Sequence, residues 1–302
     1  KAWWTTTGSK SGILVWYTGC AEFFPWKLRA VMQMILTRWI NRNFRGKEMG
    51  EQGVLRKTLE ALSEAVFPSN IYCACCGRLI DGTRPYALCD SCMKKMHWNN
   101  GRTCEKCGKA LPETYRGGRC YSCMESNHSF RKGYSCLTYG LYEREMILDY
   151  KYNGKGYLGK KFGDILFDRI RWENLKIDVI IPIPIHRTRE RKRGYNQTEL
   201  MAARLAQLWG KTLMPDALQR TRETILLRSL SPIERESALR GAFAVTKKGK
   251  AELPGKAILL IDDIYTTGAT IDECSRILLE CGAAAVDFLT LASGGNRRPK
   301  GL

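Results

Sequence analysis

The sequence has few histidines, few acidic residues and no long apolar run. Only 3 of its 302 residues are histidine, and 30 Asp and Glu stand against 49 Lys and Arg, a formal net charge of +19. The longest apolar runs, residues 12–17 and 257–261, are far shorter than the roughly 18 residues that a membrane-spanning helix needs. We therefore exclude a membrane channel, and the excess of positive charge predicts a polyanionic partner such as a phosphate, a nucleotide or a nucleic acid.

Cysteine, in contrast, is abundant. The chain has 13 cysteines, an odd number, and most of them stand in Cys-x-x-Cys pairs. This pattern is typical of metal binding in a reducing compartment and argues against a secreted disulfide framework. We therefore predict a cytoplasmic protein that binds metal through its cysteines.

Most of these cysteines belong to a unit of 31 residues that occurs twice. Each copy contains two Cys-x-x-Cys pairs separated by twelve residues. The ligand sets are Cys73, Cys76, Cys89 and Cys92 in the first copy, and Cys104, Cys107, Cys120 and Cys123 in the second. Four thiolates form the tetrahedral set of a structural zinc ion, with no open position for a catalytic water. The sequence predicts a double zinc ribbon over residues 71–130 with one Zn²⁺ per copy; a cross-braced arrangement, in which the copies share ligands, is the alternative.

The chain before the ribbons divides into two predicted parts. Residues 1–48 contain five of the eight tryptophans and eight basic residues against two acidic ones. We expect this segment to be a non-native or disordered leader, with Met49 as a natural start. Residues 49–70 are predicted to form an N-terminal helix, because apolar residues recur at helical spacing until Pro68.

From residue 134 onward, strand and helix patterns alternate. Buried strands are predicted at residues 177–183, 256–261 and 286–291, and helices at residues 197–209 and 269–281. This alternation predicts an α/β fold, a doubly wound parallel sheet over residues 134–293, with ligands at the carboxyl ends of the strands. A short basic tail, residues 294–302, follows.

The most specific candidate site follows the predicted strand at residues 256–261. Asp262 and Asp263 end the strand, and a hydroxyl-rich turn opens the next helix. The turn consists of Thr266, Thr267, Gly268, Ala269 and Thr270. Its backbone N–H groups, hydroxyls and helix N-terminus favour a phosphate dianion, and the carboxylates suit the hydroxyls of an attached sugar. Thr-Thr-Gly alone is an ordinary helix-capping turn, but paired carboxylates at a strand end repel each other unless a ligand uses them.

A second candidate is a dense cluster of positive charge. Five of the seven residues from 187 to 193 are cations, opposed only by Glu190. They are Arg187, Arg189, Arg191, Lys192 and Arg193. This density exceeds what a solvated helix face needs and predicts a loop that binds a pyrophosphate group.

The string at residues 258–270 resembles the phosphoribosyl-pyrophosphate (PRPP) signature of type I phosphoribosyltransferases. With the Cys-rich front, residues from about 54 to 292 resemble the ComF family of ComFC-like competence proteins. Further matching segments are Ile-Pro-Ile-Pro at 181–184, Arg-Gly-Tyr-Asn-Gln at 193–197 and Lys-Tyr-Asn-Gly-Lys at 151–155. The matching positions include Lys151, Tyr195, Asn196, Gln197 and Arg235. The family has a Gln ahead of Leu-Ser and an Asn ahead of Ala-Phe, where this chain has Leu227 and Ala238.

The resemblance implies a type I phosphoribosyltransferase fold and an enzyme that binds PRPP with Mg²⁺. Asp262 and Asp263 would be the catalytic residues on the ribose hydroxyls, the turn 266–270 would hold the 5-phosphate, and the basic segment would hold the pyrophosphate that an acceptor displaces. Residues 134–172 would form the hood over the acceptor, and no motif there identifies that acceptor.

A different class of function keeps this fold without the reaction. The protein would be a non-catalytic adaptor of DNA uptake, regulated by PRPP, that handles single-stranded DNA or docks a competence helicase. Tyr115, Arg116, Arg119 and Tyr121 offer the mixture of aromatic and basic side chains that single strands bind. An ordinary solvated ribbon loop explains those four residues equally well.

Overall fold

The computed structural model of the chain describes residues 71–223 and 238–296, together with Thr58, Leu59 and Leu62. The chain divides into two units, residues 1–68 and 69–302. The predicted leader 1–48, most of the predicted helix 49–70, Leu227, Arg235 and residues 297–302 of the tail lie outside the described residues.

The described part of the second unit is built on a parallel sheet. Its strands are β1 (Gly133–Thr138), β2 (Val179–Pro182), β3 (Thr212–Leu213), β4 (Leu218–Arg220), β5 (Phe243–Val245), β6 (Ala257–Tyr265) and β7 (Ala285–Ser293). Five of them form one sheet in the order β1-β7-β6-β2-β3, with every pair parallel. Strands β4 and β5 form a separate antiparallel pair. The predicted parallel α/β fold is confirmed, with β6 at the centre of the sheet.

Helices connect these strands and complete the ribbons. They are α1 (Asp90–Lys95), α2 (Tyr121–Glu125), α3 (Leu141–Tyr152), α4 (Leu158–Ile170), α5 (Arg187–Arg193), α6 (Gln197–Trp209), α7 (Lys247–Glu252) and α8 (Ala269–Glu280). The bounds of α6 agree with the sequence prediction, and α8 ends one residue before the predicted end. None of the described helices combines the length and apolar character that a membrane span requires.

The two faces of the sheet bury different parts of the chain. Side chains alternate along a strand, so Leu259 and Ile261 of β6 lie on one face while Ile258 and Leu260 lie on the other. The first face belongs to a buried cluster that contains α4, α6 and the first ribbon. The second belongs to a cluster that contains α8 and the second ribbon. The two copies of the repeat therefore pack against opposite faces of one sheet.

The segment predicted to be a hood, residues 134–172, begins with a strand of the sheet. Strand β1 pairs with β7 at the sheet edge, and helices α3 and α4 follow it. Its sequence, Gly-Tyr-Ser-Cys-Leu-Thr, contains a single β-branched residue and carries no strand pattern. The guanidinium of Arg131 forms a bidentate ion pair with the buried Asp287 carboxylate, which anchors the entry to β1 beside β7.

Candidate functional site

The carboxyl ends of β6 and β2 bring the candidate residues to one edge of the sheet. Pro182, the last residue of β2, pairs with Ile261 of β6, and β6 continues from there to Tyr265. Asp262 and Asp263 lie in this last part of β6, the turn 266–270 follows the strand, and β2 leads into α5. Ligands of open parallel sheets bind at this edge, outside the carboxyl ends of the strands.

Asp263 is held in place by two residues of the matched motifs. Its carboxylate is buried, 6% exposed, and its Oδ2 lies 2.8 Å from the Lys151 ammonium. The side-chain amide of Gln197 donates to the same oxygen at 2.8 Å. Both contacts use Oδ2, so Oδ1 remains available to accept a hydrogen bond from a ligand.

Tyr195 and Asn196 support this arrangement from behind. The Tyr195 hydroxyl donates to the backbone carbonyl of Tyr150, one residue before Lys151. The Asn196 side chain caps α6 and donates to the Ile183 carbonyl at 3.2 Å. These two residues hold α3 and α6 beside the strand end, whereas Lys151 and Gln197 reach the carboxylate itself.

Asp262 lies in a different electrostatic environment. It is half-buried on the α8 face of the sheet, and its Oδ1 accepts a hydrogen bond from the Asp263 N–H at 2.8 Å. Desolvation, followed by the negative charge of Asp263, raises the pKa of Asp262 to about 7, while Lys151 and Arg220 oppose that rise. Ionisation of the Asp262 carboxyl therefore costs free energy. A ligand that brings positive charge or hydroxyl donors to the carboxylate would offset that cost.

Asp262→Asn is expected to remove a pH dependence of stability. An Asp in the unfolded chain has a pKa of about 3.9, so between about pH 4 and about pH 7 the folded protein binds more protons than the unfolded chain. Its free energy of unfolding then falls as the pH rises through that window. The variant should match the wild type below about pH 4, and it should be the more stable protein, by a constant amount, above about pH 7. Urea denaturation at several pH values measures this, and a difference that is independent of pH would contradict it.

The turn 266–270 has the backbone that a phosphate site requires. Gly268 has φ +93°, and a Cβ built on it would lie 2.6 Å from the Tyr265 hydroxyl oxygen. Glycine is thus the residue that fits there. Gly268 is the N-cap of α8 and has no side chain to cap it, so the first N–H groups of the helix are left for a ligand. A cleft of about 40 Å³ lies over this turn, lined also by Asp262 and Leu239.

The basic segment is a helix and not the loop that we expected from sequence. The His186 side chain caps α5 by accepting from the Thr188 N–H, and Gly194, at φ +92°, ends it. The five cations consequently point in different directions at about 100° per residue. Arg187, Arg191 and Lys192 are exposed, whereas the Arg193 guanidinium lies over the Tyr152 ring and donates to the Gln197 side chain.

The structure groups the ribbon cysteines by copy of the repeat. In each set of four, the sulfur atoms lie within 4.8 Å of one another, which favours sequential over cross-braced pairing. The sulfurs of Cys76 and Cys89 are 3.8 Å apart, and those of Cys107 and Cys120 are 3.6 Å apart. Zinc–sulfur bonds of about 2.3 Å in a tetrahedron require sulfur–sulfur distances of about 3.8 Å. Both sets fit structural zinc ions.

Sequence reasoning missed two basic residues that the fold places at this edge. Arg220 of β4 contributes positive charge near Asp262, and Lys109 of the second ribbon lies under the turn, against Tyr265. Nothing in the sequence separates them from the other 47 basic residues, because their positions depend on packing between distant segments. The repeat itself offers a weak signal, since Lys109 occupies the position of Arg78 in the first copy.

The fold and the site define a class: a phosphoribosyltransferase-type α/β domain preceded by a double zinc ribbon. The family model of the double zinc ribbon domain matches residues 62–124, and that of the phosphoribosyl transferase domain matches residues 209–301. The chain belongs to the ComF family of competence proteins.

Family membership rests on curated relatives that match over most of their length. Competence protein ComFC of Bacillus subtilis is 30% identical over 221 residues, 68% of this chain and 83% of that protein. Competence protein F of Haemophilus influenzae is 28% identical over 68% of this chain and 90% of its own length. The DNA utilization protein YhgH of Escherichia coli is 26% identical with the same coverage.

Alignments with solved structures are weaker. A glutamine PRPP amidotransferase from Bacillus subtilis, complexed with ADP and GMP, aligns with a TM-score of 0.33 and 19% identity, over 47% of this chain and 30% of that one. An adenine phosphoribosyltransferase aligns with a TM-score of 0.31 and 14% identity, over 49% and 75% of the two chains. This chain spans less than a third of the amidotransferase, and these alignments carry no functional conclusion.

Proposed function

We propose that the protein binds PRPP with Mg²⁺ at the carboxyl end of β6 and transfers its phosphoribosyl group to an acceptor during DNA uptake. The observation that supports this most is one continuous arrangement on the central strand. The Asp262–Asp263 pair leads into the glycine turn 266–270 at the start of α8, and Lys151 and Gln197 hold Asp263. The names of the relatives, competence and DNA utilization proteins, support the biological context.

Each part of this arrangement suits one part of PRPP. The N–H groups and hydroxyls of the turn 266–270 bind the 5-phosphate dianion. Asp263, fixed through Oδ2, accepts from a ribose hydroxyl through Oδ1, and Asp262 accepts from the neighbouring hydroxyl. The exposed cations Arg187, Arg191 and Lys192 of α5 would contact the pyrophosphate, which carries the largest negative charge of the ligand.

The donor set also fits a magnesium ion. Mg²⁺ in phosphoryl ligand sites is usually held by one or two carboxylates together with substrate oxygens and water, and Asp262 and Asp263 supply such carboxylates. When bound, the ion neutralises charge on the pyrophosphate leaving group. The protein's own contribution is to orient the sugar and to place negative charge near the anomeric carbon.

The proposed reaction is a displacement at that carbon. The acceptor's lone pair forms the new bond to C1 while the C1–O bond to pyrophosphate breaks, and pyrophosphate leaves with the bonding electrons. Positive charge develops on the sugar in the transition state, and the carboxylates of Asp262 and Asp263 stabilise it.

PRPP with Mg²⁺ is expected to raise the melting temperature of the wild-type protein. A ligand at about 100 times its Kd stabilises the folded state by about 2.7 kcal/mol. The double variant Asp262→Asn/Asp263→Asn should lose this shift, because it removes both sugar-binding carboxylates. Glu113→Gln, a change to an exposed ribbon carboxylate, should keep it. Absence of any shift in the wild type would sink the proposal. If PRPP does bind, measuring pyrophosphate release with purine, pyrimidine and amine acceptors would identify the class of acceptor.

One surface favours the second candidate, an adaptor that handles single-stranded DNA. Arg116 and Arg119 are exposed beside the rings of Tyr115 and Tyr121, which meet edge to face at 5.2 Å. Aromatic faces between cations are the means by which proteins bind single strands without sequence preference. Binding of DNA here does not prevent binding of PRPP, because this surface lies in the second ribbon and not at the end of β6; the adaptor differs from the transferase in that it carries out no transfer reaction.

DNA binding through this surface is expected to depend steeply on salt. Each neutralised phosphate of a single strand contributes a slope of about −0.7 to the dependence of log K on log salt concentration. Arg116→Gln/Arg119→Gln should therefore weaken binding and reduce the slope by about 1.4, whereas Asp262→Asn/Asp263→Asn should leave both unchanged. A fluorescence anisotropy titration with a labelled oligonucleotide measures this, and salt-independent binding would exclude the adaptor.

A further inference from the structure

The two copies of the zinc ribbon use the same repeat position in opposite ways. Arg78 of the first copy is exposed, whereas Lys109, 31 positions later, is only 5% exposed. The glycine that precedes each of these residues shows the same difference in packing. A Cβ on Gly77 would meet nothing within 4 Å, but a Cβ on Gly108 would lie 2.5 Å from the Gly133 carbonyl oxygen. The second ribbon is therefore pressed against the sheet where the first is open.

Lys109 contacts the residue that lies under the phosphate turn. Its ammonium lies 5.2 Å from the centre of the Tyr265 ring, in the geometry of a cation–π contact. Tyr265 is buried, and its other packing includes a stacked contact with Phe288 at 4.8 Å between ring centres. The Tyr265 hydroxyl lies 2.6 Å from the place where a Gly268 Cβ would be. The position of this ring consequently sets the position of the turn.

The same ribbon also contacts the far side of the turn. The Ser129 N–H donates to Oδ1 of Asp272 at 2.6 Å, and His128 Nδ1 lies 3.5 Å from Oδ2. Asp272 is in the first turn of α8, where its negative charge would oppose a bound phosphate. The Ser129 N–H thus holds the Asp272 carboxylate in place, while Lys109 contacts Tyr265 at the end of β6.

Charge explains why a lysine is buried at this place. Four thiolates around one Zn²⁺ ion carry a net charge of about −2, and a buried charge of this size needs cations nearby. Lys109 is two positions from the ligand Cys107, and Lys106 is next to it. Lys106 lies over the Phe130 ring, and Phe130 in turn packs edge to face on Phe288. The second zinc centre and the phosphate turn are therefore joined through one cluster of aromatic rings and lysines.

We propose that Lys109 is a positioning residue for the phosphate-binding turn, and that through it the second ribbon, and not the first, sets the affinity for PRPP. The inference about affinity rests on the proposed function. The inference that the ribbon holds the turn stands without it, because it concerns contacts within the protein.

The experiment compares Lys109→Met with Arg78→Met, the change at the equivalent position of the first ribbon. Both remove one cation and keep an unbranched side chain. Lys109→Met is expected to keep two zinc ions per chain and to weaken PRPP–Mg²⁺ binding by about tenfold to about thirtyfold, at most the size of a desolvated cation–π contact. Arg78→Met should bind as the wild type does. Lys109→Arg should restore most of the affinity, because it returns a cation to the ring face.

Amide hydrogen exchange without ligand supplies a readout that does not depend on PRPP. Peptides covering residues 265–271 should exchange faster in Lys109→Met than in the wild type or in Arg78→Met. Equal exchange in all three proteins overturns the inference. A wild type that fails to bind PRPP overturns the proposed function alone, and the exchange result still decides whether the ribbon holds the turn.

A second variant covers the case in which Lys109→Met does not keep its zinc. Asp272→Ala removes the hydrogen bond between the ribbon and the first turn of α8 and leaves the ribbon sequence intact. Faster exchange at residues 265–271 in this variant supports the inference, and unchanged exchange overturns it.

Discussion

Cys107→Ser is expected to cost the protein one of its two zinc ions and much of its stability, whereas Cys76→Ser should be far milder. The two cysteines occupy the same place in the two copies of the repeat. Cys107 is completely buried in the cluster that includes Phe288 and Leu260, and Cys76 is exposed to solvent. Loss of the metal from the buried centre leaves three thiols without their metal ion and removes the negative charge of the zinc centre from the vicinity of the buried Lys109.

We expect a loss of at least about 4 kcal/mol in the free energy of unfolding for Cys107→Ser, in the range of the largest single-residue effects. Cys76→Ser should lose about half of that or less, because water can solvate the groups that it leaves unpaired. Urea denaturation and a zinc assay on the unfolded protein measure both quantities. Cys281→Ser, which alters a cysteine outside both ligand sets, is the control and should retain two zinc ions. Equal losses in the two ligand variants would contradict the difference in burial.

Gly108→Ala should be much more destabilising than Gly77→Ala. Both glycines have a left-handed backbone, with φ +71° and φ +68°, so an alanine pays the same conformational cost of about 1–2 kcal/mol at either position. At Gly77 the added methyl group enters open space. At Gly108 it would lie 2.5 Å from the Gly133 carbonyl oxygen and 2.7 Å from the Tyr134 Cα, both backbone atoms of β1.

Backbone atoms cannot rotate away as a side chain can, so Gly108→Ala must displace either the ribbon or β1. Overpacking of this kind typically costs about 1–3 kcal/mol beyond the conformational cost. Because both variants have the same backbone strain, the difference between their losses of stability measures the energy of the contact between the second ribbon and β1. Thermal denaturation of the two variants, each with its zinc content verified, measures it. Identical melting temperatures would show that the second ribbon is not pressed against β1.

Much of the fold was predictable because its signals are local. Helix α6 has an Asn cap at its start and Gly210 at its end, and its apolar residues recur at helical spacing. Strand β6 begins as the predicted apolar run, and it continues past Asp262 and Asp263 to Tyr265, four residues beyond the predicted end at residue 261. Strand β1 could not be found in this way, since what holds it is its pairing with β7, in which Gly133 pairs with Phe288, 155 positions later in the chain.

The sequence allowed us to predict which residues belong to the candidate site, but not how those residues contact one another. The turn 266–270 and the Asp pair are contiguous, so one segment reveals them. The sequence motifs pointed to Lys151 and Gln197, but the hydrogen bonds of both to a single oxygen of Asp263 join three distant segments. For the basic segment, charge density suggested one cluster in a loop, and the helical geometry of α5 separates the cations onto different sides.

The amino-acid sequence by itself determined the two cysteine sets, the Asp pair followed by the glycine turn 266–270, and the alternation of strands and helices, because each of these depends on neighbouring residues or on an exact repeat. The tertiary structure decided how deeply each copy of the repeat is buried. Two copies with the same ligand spacing pack on opposite faces of the sheet, so the first cysteine set is partly exposed, through Cys76, whereas all four cysteines of the second set are buried. Burial depends on what a segment is packed against, and identical spacing within a segment carries no information about that.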